Sequence, residues 1–279
     1  LIGAVLNIAL DPLFIFGLSM GIRGAALATV ISQFVSAVWV LRFLTRKERA
    51  MGIRRKYLKI RGKIVAKIMS LGVAPFIMQA TESFISIVMN SGLQHYGGDM
   101  YVGTLTIMQS VMQFVSIPVS GFTQGVQPIM SYNFGAGNTE RVKKTYFTML
   151  GIVMSYTILL TISIMAIPGV FARMFTDSSE LILLVEKIMP VFVCGMLVFG
   201  VQMSSQTTFL ALGQAKISLF IALLRKVILL IPLAIILPKL TGDVMFIYYA
   251  EPISDVTSAL TCGILFACLF GKILKRSKA

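Results

Sequence analysis

The sequence predicts an all-α membrane protein with eight transmembrane spans, and three observations support this prediction. Of the 279 residues, 57% are hydrophobic and only 13% are charged, about half the charged fraction of a typical soluble domain. The apolar residues form blocks of about twenty or more, the helix length that crosses about 30 Å of hydrocarbon. The positive charges cluster between particular blocks. We therefore expect the lipid bilayer to be the partner and solvent of most of the chain.

The apolar blocks define the order of the elements and the domain organisation. We predict spans near 1–18, 24–44, 64–94, 101–132, 142–168, 183–211, 215–238 and 244–271. Residues 1–44 are interpreted as the last two helices of a first bundle, the first of them partial. Residues 45–63 form a basic linker, and residues 64–279 form a complete second bundle of six helices with a basic C-terminal tail.

The net charge of +14 is read as a topology signal. Most lysine and arginine residues fall in the 45–63 linker or in loops on the same side of the predicted membrane. This is the positive-inside pattern, which places the linker and the C-terminus in the cytoplasm. A soluble protein with this charge would suggest nucleic acid as a partner. Here the charge pattern predicts no nucleic-acid partner and at most contacts with anionic lipids.

An internal repeat relates the two ends of the chain. Residues 28–38 (ATVISQFVSAV) align with residues 250–260 (AEPISDVTSAL), and Pro12-Leu13 aligns with Pro232-Leu233. The second unit contains six predicted spans, an even number, so the two units are expected to have the same orientation in the membrane. The repeat also predicts that four spans and part of a fifth precede Leu1, in a protein of about 450 residues.

Glu82 is the principal candidate for chemistry, because it lies near the middle of the 64–94 span. An ionisable group there costs about 2.5–3.5 kcal/mol, so it needs a functional or structural reason. At helical spacing, its face also carries Gln79, Ser86, Met89 and Asn90. We predict that Glu82 titrates or binds a cation during transport, with Na⁺ the only metal considered. The alternative is a static hydrogen bond between helices.

Two further spans carry polar side chains that we expect to line a substrate cavity. Gln109 and Gln113 lie in the 101–132 span, and Gln202 and Gln206 lie in the 183–211 span. The 101–132 span is also predicted to be kinked or locally unwound, at Pro118, Gly121, Gly125 and Pro128. Irregular backbone at membrane depth is tolerated when it faces protein or water, which favours a cavity. Close helix packing through Gly and Ser is the alternative.

Two more ionisable groups lie within predicted spans. Asp255 is the second candidate for a coupling carboxylate, with a structural role as the alternative, while Glu251 is taken as interfacial. Arg225 either pairs with a carboxylate in the cavity or extends to the inner headgroups. The second reading is slightly favoured because Lys226 is adjacent.

The cysteine residues and the sequence motifs do not indicate an enzyme. Cys194, Cys262 and Cys268 lie in apolar spans without a metal-binding spacing, so we expect them to be packing residues. The chain has no phosphate-binding or dinucleotide-binding motif. We therefore expect no cofactor, with energy supplied by an ion gradient or by another chain.

Several segments resemble the MATE (multidrug and toxic compound extrusion) family, particularly its bacterial branch. They are NIALDPLFIFGLSMGIRGAALATVISQ, GVAPFIMQATESF, SIPVSGFTQGVQPIMSYNFGAGNTERVKK and LGQAK before LLRKVILLIPLAIILP. The resemblance implies twelve helices in two bundles around a V-shaped cleft. It also implies export of cationic or amphipathic drugs in exchange for Na⁺ or H⁺ at the bacterial plasma membrane. For the oligomeric state, we favour a monomer.

The resemblance also implies roles for individual residues. Glu82 matches the acid that the family carries on the first helix of its second bundle, which is associated with cation coupling. Some members add an aspartate on the span where this sequence has Gln202 and Gln206 and no acid, which argues against a two-carboxylate Na⁺ site in this bundle. Coupling is expected through Glu82, alone or with Asp255, and an acid in the missing first bundle is the alternative for proton coupling. The expected mechanism is alternating access. The rival functions are a lipid-linked precursor flippase, which would need a basic cleft, and a membrane scaffold without transport.

Overall fold

The computed structural model describes residues 1–45 and 61–276, apart from the side chains of residues 67, 68, 70–75, 78, 79, 275 and 276. Within these residues every regular element is helical and no strand is present, which confirms the all-α prediction. Most of the predicted 45–63 linker, residues 46–60, lies outside the described residues. The chain divides into two compact units, Leu1–Met69 and Ser70–Ala279.

The first unit contains two apolar helices that pack against each other. Helix α1 spans Ile2–Pro12 and continues as a π-helical turn, π1, at Leu13–Gly17. Helix α2 spans Ile22–Thr45. Ala28 and Ser32 of α2 are buried, and Gly3 of α1 lies so close that an added Cβ would be 3.3 Å from the Ser32 carbonyl. Small residues therefore allow the close approach of these two helices.

The second unit begins within α3 and contains the other helices, joined by short turns. The long helices are α3 (Gly62–Gly97), α4 (Asp99–Gly135), α5 (Thr139–Ala166) and α11 (Met245–Arg276). The shorter helices are α6 (Pro168–Arg173), α7 (Ser179–Val193), α8 (Met196–Ala211), α9 (Ala215–Leu223) and α10 (Ile231–Thr241). A second π-helical segment, π2 (Leu224–Leu230), connects α9 to α10. Pro232 follows at the start of α10, and it lacks the N–H that would donate to the carbonyl four residues earlier.

Helix α8 is the central element of the second unit. It packs against α4, α5, α9 and α11, and it buries polar as well as apolar side chains. At one end of the unit, Tyr146 and Phe209 contact Phe266, and Phe266 stacks on Phe270. Tyr146 also hydrogen-bonds to Ser205 at 3.2 Å. Many apolar side chains on the outer surface are exposed, among them Phe147, Leu159 and Ile162. Such a surface is stable in lipid and not in water.

Among the described residues, five helical segments are long and apolar enough to cross a membrane: α2, α4, α5, Ala215–Thr241 and Met245–Leu274. A sixth candidate is the pair α7 and α8, which bends by 45° at residues 194 and 195. The predicted spans near 1–18 and 64–94 coincide with the shorter apolar segment Ile2–Gly17 and with α3. The described part of the chain is thus all-helical, as in a multi-pass membrane protein, and contains five or six candidate spans. The count of eight stays a prediction.

Helix α4 differs from the prediction of local unwinding. It continues without interruption through Pro118, Gly121, Gly125 and Pro128, so the unwinding predicted as one possibility is absent. Each proline removes a single N–H donor, and the helix retains the hydrogen bonds on either side. A bend of α4 at these residues stays a prediction. The break occurs instead between α7 and α8, within a segment predicted as one continuous span.

Candidate functional site: a charged cavity in the second unit

A cavity of about 450 Å³ lies within the second unit, between α3, α4, α7, α8, α9, π2 and α11. Its polar lining consists of Thr81, Glu82, Ser86, Gln109, Gln113, Ser116, Ser120, Gln202, Gln206, Arg225, Lys226 and Glu251. Its apolar lining consists of Ile85, Met112, Phe192, Met196, Phe199, Met203, Ala222 and Leu223. The cavity therefore combines hydrogen-bonding groups and charges with a deformable, sulfur-rich and aromatic surface.

Helical periodicity explains how the polar residues reach the cavity. Glu82 and Ser86 are four residues apart on α3, and Gln202 and Gln206 are four residues apart on α8. On α4, Gln109 and Gln113 continue as Ser116 and Ser120, a spacing of four, three and four residues. Residues at these spacings share one face of an α-helix. Each of these three helices thus presents a polar stripe to the same space.

The first ion pair of the cavity joins α3 to π2. Lys226 Nζ lies 2.8 Å from Glu82 Oε2, although the two residues are 144 positions apart. The Glu82 side chain is 54% exposed and that of Lys226 is 18% exposed. Glu82 is therefore accessible from the cavity, and an ammonium group already neutralises its carboxylate. The pairing satisfies both charges at a depth where either alone would be costly.

The second ion-pair group is centred on Arg225. Its Nε donates to Asp255 Oδ1 at 2.5 Å, and its Nη2 lies 3.4 Å from Glu251 Oε1. The guanidinium also lies 5.7 Å from the centre of the Phe199 ring, within cation–π range. The Arg225 side chain is only 12% exposed. The slightly favoured prediction that Arg225 extends to the headgroups is wrong, because two carboxylates of α11 hold it inside the unit.

Helix α11 also fixes the backbone of π2. Ser254 Oγ donates to the Arg225 carbonyl at 2.5 Å, and Ser254 is fully buried. One face of α11 carries Glu251 and, three and four residues later, Ser254 and Asp255. This face therefore binds both the backbone and the side chain of Arg225. This arrangement positions the adjacent Lys226 towards α3. The conformation of π2 therefore determines that Arg225 pairs with the carboxylates of α11 and that Lys226 pairs with Glu82.

Asp255 does not line the cavity; it lies behind Arg225, with 1% of its side chain exposed. Its second oxygen, Oδ2, is buried and has no hydrogen-bond partner within the described part of the chain. The backbone at Gly195 approaches it closely, since an added Cβ there would lie 3.1 Å from Oδ2. Asp255 therefore acts on the cavity through Arg225.

The cavity brings together most of the predicted site residues. Glu82, Ser86, Gln109, Gln113, Gln202, Gln206 and Arg225 all line it. Met89 is instead buried in the hydrophobic core. Asn90 does not line the cavity, but its Nδ2 donates to Oγ of the lining residue Ser86 at 3.2 Å. The side chain of Gln79 lies outside the described residues. The predicted roles of these residues stay predictions.

Lys226 and Glu251 are the charged cavity residues that the sequence did not predict as site residues. Both line the cavity, whereas Glu251 was predicted to be interfacial and Lys226 served only to interpret Arg225. The spacing of Glu251 and Asp255, four residues on one helix, was a usable signal that both reach the same partner. Within the described residues, no group of three or more His, Cys, Asp or Glu side chains could hold a metal ion.

The model of the MatE family matches residues 75–236 of the chain. The multidrug export protein MepA of Staphylococcus aureus (strain MSSA476) is 26% identical over 265 residues, which cover 93% of this chain and 58% of MepA. MepA of Staphylococcus haemolyticus (strain JCSC1435) is 24% identical over 85% of this chain and 52% of its own length. The chain thus spans between half and three fifths of the length of these relatives.

A solved structure agrees with the fold. An outward-facing multidrug resistance MATE family transporter of the MOP superfamily superposes with a TM-score of 0.85 at 20% identity, and the match covers 98% of this chain and 62% of that chain. At this identity, the likeness concerns the fold alone. The family match covers more than half of the chain, including α4, α5 and most of the cavity lining. The chain belongs to the MatE family.

Proposed function

We propose that the chain is part of a secondary active multidrug efflux transporter, which exchanges cationic or amphipathic drugs for H⁺ or Na⁺ by alternating access. The observation that carries the proposal is the cavity of the second unit, where carboxylates and amides meet methionine and aromatic side chains. Its volume of about 450 Å³ falls in the range of pockets for drug-sized molecules, about 300–1,000 Å³.

The lining favours bulky organic cations as substrates. The charged groups at the cavity include the carboxylates of Glu82 and Glu251, and Asp255 lies directly behind Arg225. The aromatic rings of Phe192 and Phe199 belong to the lining, and aromatic rings attract cations. Met112, Met196 and Met203 offer flexible side chains that adapt to different shapes, as promiscuous binding surfaces require. A molecule with one positive charge and a large apolar surface fits this combination.

Glu82 is the proposed coupling residue, because its carboxylate is accessible from the cavity and can exchange a proton or Na⁺. Asp255 supports this role indirectly by holding Arg225. We further propose eight spans in this chain and an arrangement of twelve helices in the longer protein. The C-terminus and the 45–63 linker would lie in the cytoplasm, and the two bundles would move about the cleft between them.

Drug transport by the full-length protein that carries this chain tests the proposal. In proteoliposomes, wild type and Glu82→Gln are compared for uptake of tetraphenylphosphonium under an imposed pH difference or Na⁺ gradient. We expect Glu82→Gln to lose gradient-driven uptake, because a neutral amide neither carries an exchangeable acidic proton nor offers a negative charge to Na⁺. The gradient that drives wild type identifies the ion. Glu180→Gln, an exposed change at the start of α7, is the matched control and should transport normally.

The outcomes separate the proposal from its rivals. Undiminished transport by Glu82→Gln would make Glu82 a packing residue and overturn its coupling role. No uptake by wild type would favour the lipid-linked precursor flippase or the scaffold. A flippase cavity would need free positive groups for a pyrophosphate, but Arg225 and Lys226 are both paired with carboxylates. No feature of the cavity favours that rival over the efflux proposal.

A further inference from the structure

The charged groups at the cavity do not balance. Three carboxylates, Glu82, Glu251 and Asp255, meet two cations, Arg225 and Lys226. With all five groups ionised, one negative charge has no counterpart. Unbalanced charge is costly in a medium of low dielectric constant, and one additional monovalent cation, a proton included, would bring the cluster to neutrality. The cluster therefore has the charge of a site for a single monovalent cation.

The two cations are held with different strength. Arg225 is 12% exposed and lies between Asp255 and Glu251, with the Phe199 ring at 5.7 Å. Within the described residues, neither the Lys226 ammonium nor the Glu82 carboxylate has a second ion-pair or hydrogen-bond partner, and the Glu82 side chain is 54% exposed. An ion pair that water reaches is weak, while an enclosed one is costly to break. The pair between Lys226 and Glu82 is therefore the one that a ligand can open.

We propose that Lys226 is a built-in competitor of the transported cation: its ammonium occupies Glu82 in the empty cavity, and a monovalent organic cation binds by displacing it towards Glu251. The inference rests on the proposed export of organic cations. It names the residue that sets their affinity. Glu82 is the binding group, and Lys226 acts through Glu82 as a positioning residue.

Glu251 is the partner that can receive the displaced ammonium. It lines the same cavity as Lys226, and it lies close enough to interact electrostatically with Lys226 and with Glu82. Its own contact with Arg225 is long, 3.4 Å, and Arg225 keeps the shorter bond to Asp255 when Glu251 changes partner. After the exchange, Asp255 pairs with Arg225, Glu251 with Lys226, and Glu82 with the ligand. Every charge of the cluster then has a counterpart.

A binding measurement at constant pH and salt tests the competition. The probe is tetraphenylphosphonium, a bulky monovalent cation without hydrogen-bond donors, titrated into the purified full-length protein in detergent by calorimetry. Lys226→Met removes the competitor, and we expect the probe to bind about tenfold more tightly than to wild type, about 1.4 kcal/mol. Lys216→Met is the matched control. It removes the same charge from an exposed position on α9 outside the cavity, and should leave the affinity unchanged.

The direction of this effect separates competition from loss of structure. A substitution that merely loosens the cavity weakens binding, whereas the removal of a competitor strengthens it. Lys226→Arg retains the positive charge and should not reproduce the gain. Equal affinities of wild type and Lys226→Met would overturn the competition and leave the proposed efflux function intact. No binding by either protein would overturn the proposed substrate class together with the competition.

A double-mutant cycle tests the role of Glu251. Glu251→Gln removes the second partner of Lys226, so the probe must displace an ammonium that has no carboxylate to receive it. We expect Glu251→Gln to weaken binding at least about threefold more in the wild-type background than in the Lys226→Met background. Equal losses in both backgrounds would mean that Glu251 acts only through the total charge of the cavity. That result would overturn the proposed movement of Lys226.

Discussion

Arg225 illustrates how a charged residue is stabilised inside an apolar segment. Its guanidinium contacts Asp255 and Glu251, and the Phe199 ring covers it. The partners come from α11 and α8, distant in sequence, so the charge alone did not reveal whether Arg225 faces the cavity or the headgroups. Glu82, by contrast, was predictable as a site residue because any carboxylate so far from both membrane boundaries needs a reason. Its partner Lys226 was not predictable, since a pairing across 144 residues requires the tertiary fold.

The first residue-scale prediction concerns the stability of this group. Arg225→Met leaves Asp255 without its cation, and breaking an enclosed pair in this way costs about 3–5 kcal/mol. The double variant Arg225→Met with Asp255→Asn removes both charges and should recover most of that loss. Thermal unfolding in detergent measures these differences as changes in Tm.

Arg173→Met is the control for the loss of an arginine. Arg173 is exposed at the end of α6, so its replacement should change the free energy of unfolding by no more than about 0.5 kcal/mol. If Arg225→Met were as stable as Arg173→Met, the ion pairs with Asp255 and Glu251 would contribute nothing measurable. If the double variant were no more stable than Arg225→Met, the loss would come from packing of the guanidinium and not from an uncompensated carboxylate.

At the scale of the elements, the break between α7 and α8 brings the backbone against α11. The two helices meet at a bend of 45°, and Gly195 lies at the bend. A Cβ at this position would be 2.7 Å from Asp255 Cβ and 3.1 Å from Pro252 Cα. The absence of a side chain therefore allows α11 to present Asp255 to Arg225. The sequence predicted the polar faces of α4 and α8 through their spacing, but it placed the irregular backbone in α4.

The misplacement of the irregular backbone has a physical explanation. Proline and glycine occur in both segments, and their local effect on a helix is similar. What distinguishes them is the neighbouring helix, which fills the space at Gly195 and leaves Gly121 and Gly125 open. That difference belongs to tertiary packing, and no local pattern contains it.

The element-scale prediction uses this contrast. Gly195→Ala forces a methyl group into the contact with α11, and such overpacking costs about 1–3 kcal/mol. Gly121→Ala adds the same methyl group in the middle of α4, where nothing lies within 4 Å of the added Cβ. There it should be neutral or stabilise the helix by up to about 1 kcal/mol. Tm values in detergent check both variants, and similar values would contradict the close contact at Gly195.

At the scale of the whole molecule, composition and block length were sufficient for the all-helical membrane class, because lipid admits few other solutions. The number of spans is harder to predict, since a bent pair such as α7 and α8 has the same composition whether it crosses the membrane or returns. The proposed repeat is consistent with burial within each unit. Ala28 and Ser32 are buried in the first unit, as are Ala250 and Ser254 in the second.

Cysteine labelling distinguishes the two topologies. In a background with Cys194, Cys262 and Cys268 replaced by serine, single cysteines are introduced at Asn138, Asp177 and Lys216, which flank α5 and the α7–α8 pair. If α5 and the α7–α8 pair each cross the membrane once, a membrane-impermeant maleimide added to intact cells should label Asp177→Cys. It should label Asn138→Cys and Lys216→Cys only after the membrane is opened, because basic loops remain inside.

Each alternative gives a different labelling pattern. Labelling of Lys216→Cys together with Asp177→Cys from outside would mean that the α7–α8 pair returns to the side from which it entered, which leaves five crossing helices among the six candidates. Labelling of Asn138→Cys and Lys216→Cys from outside, with Asp177→Cys protected, would mean that the orientation in the membrane is the reverse of the proposed one. That pattern would contradict the positive-inside interpretation, although the α7–α8 pair would still cross. The expected pattern alone supports both the sixth span and a cytoplasmic position for the segments at Asn138 and Lys216.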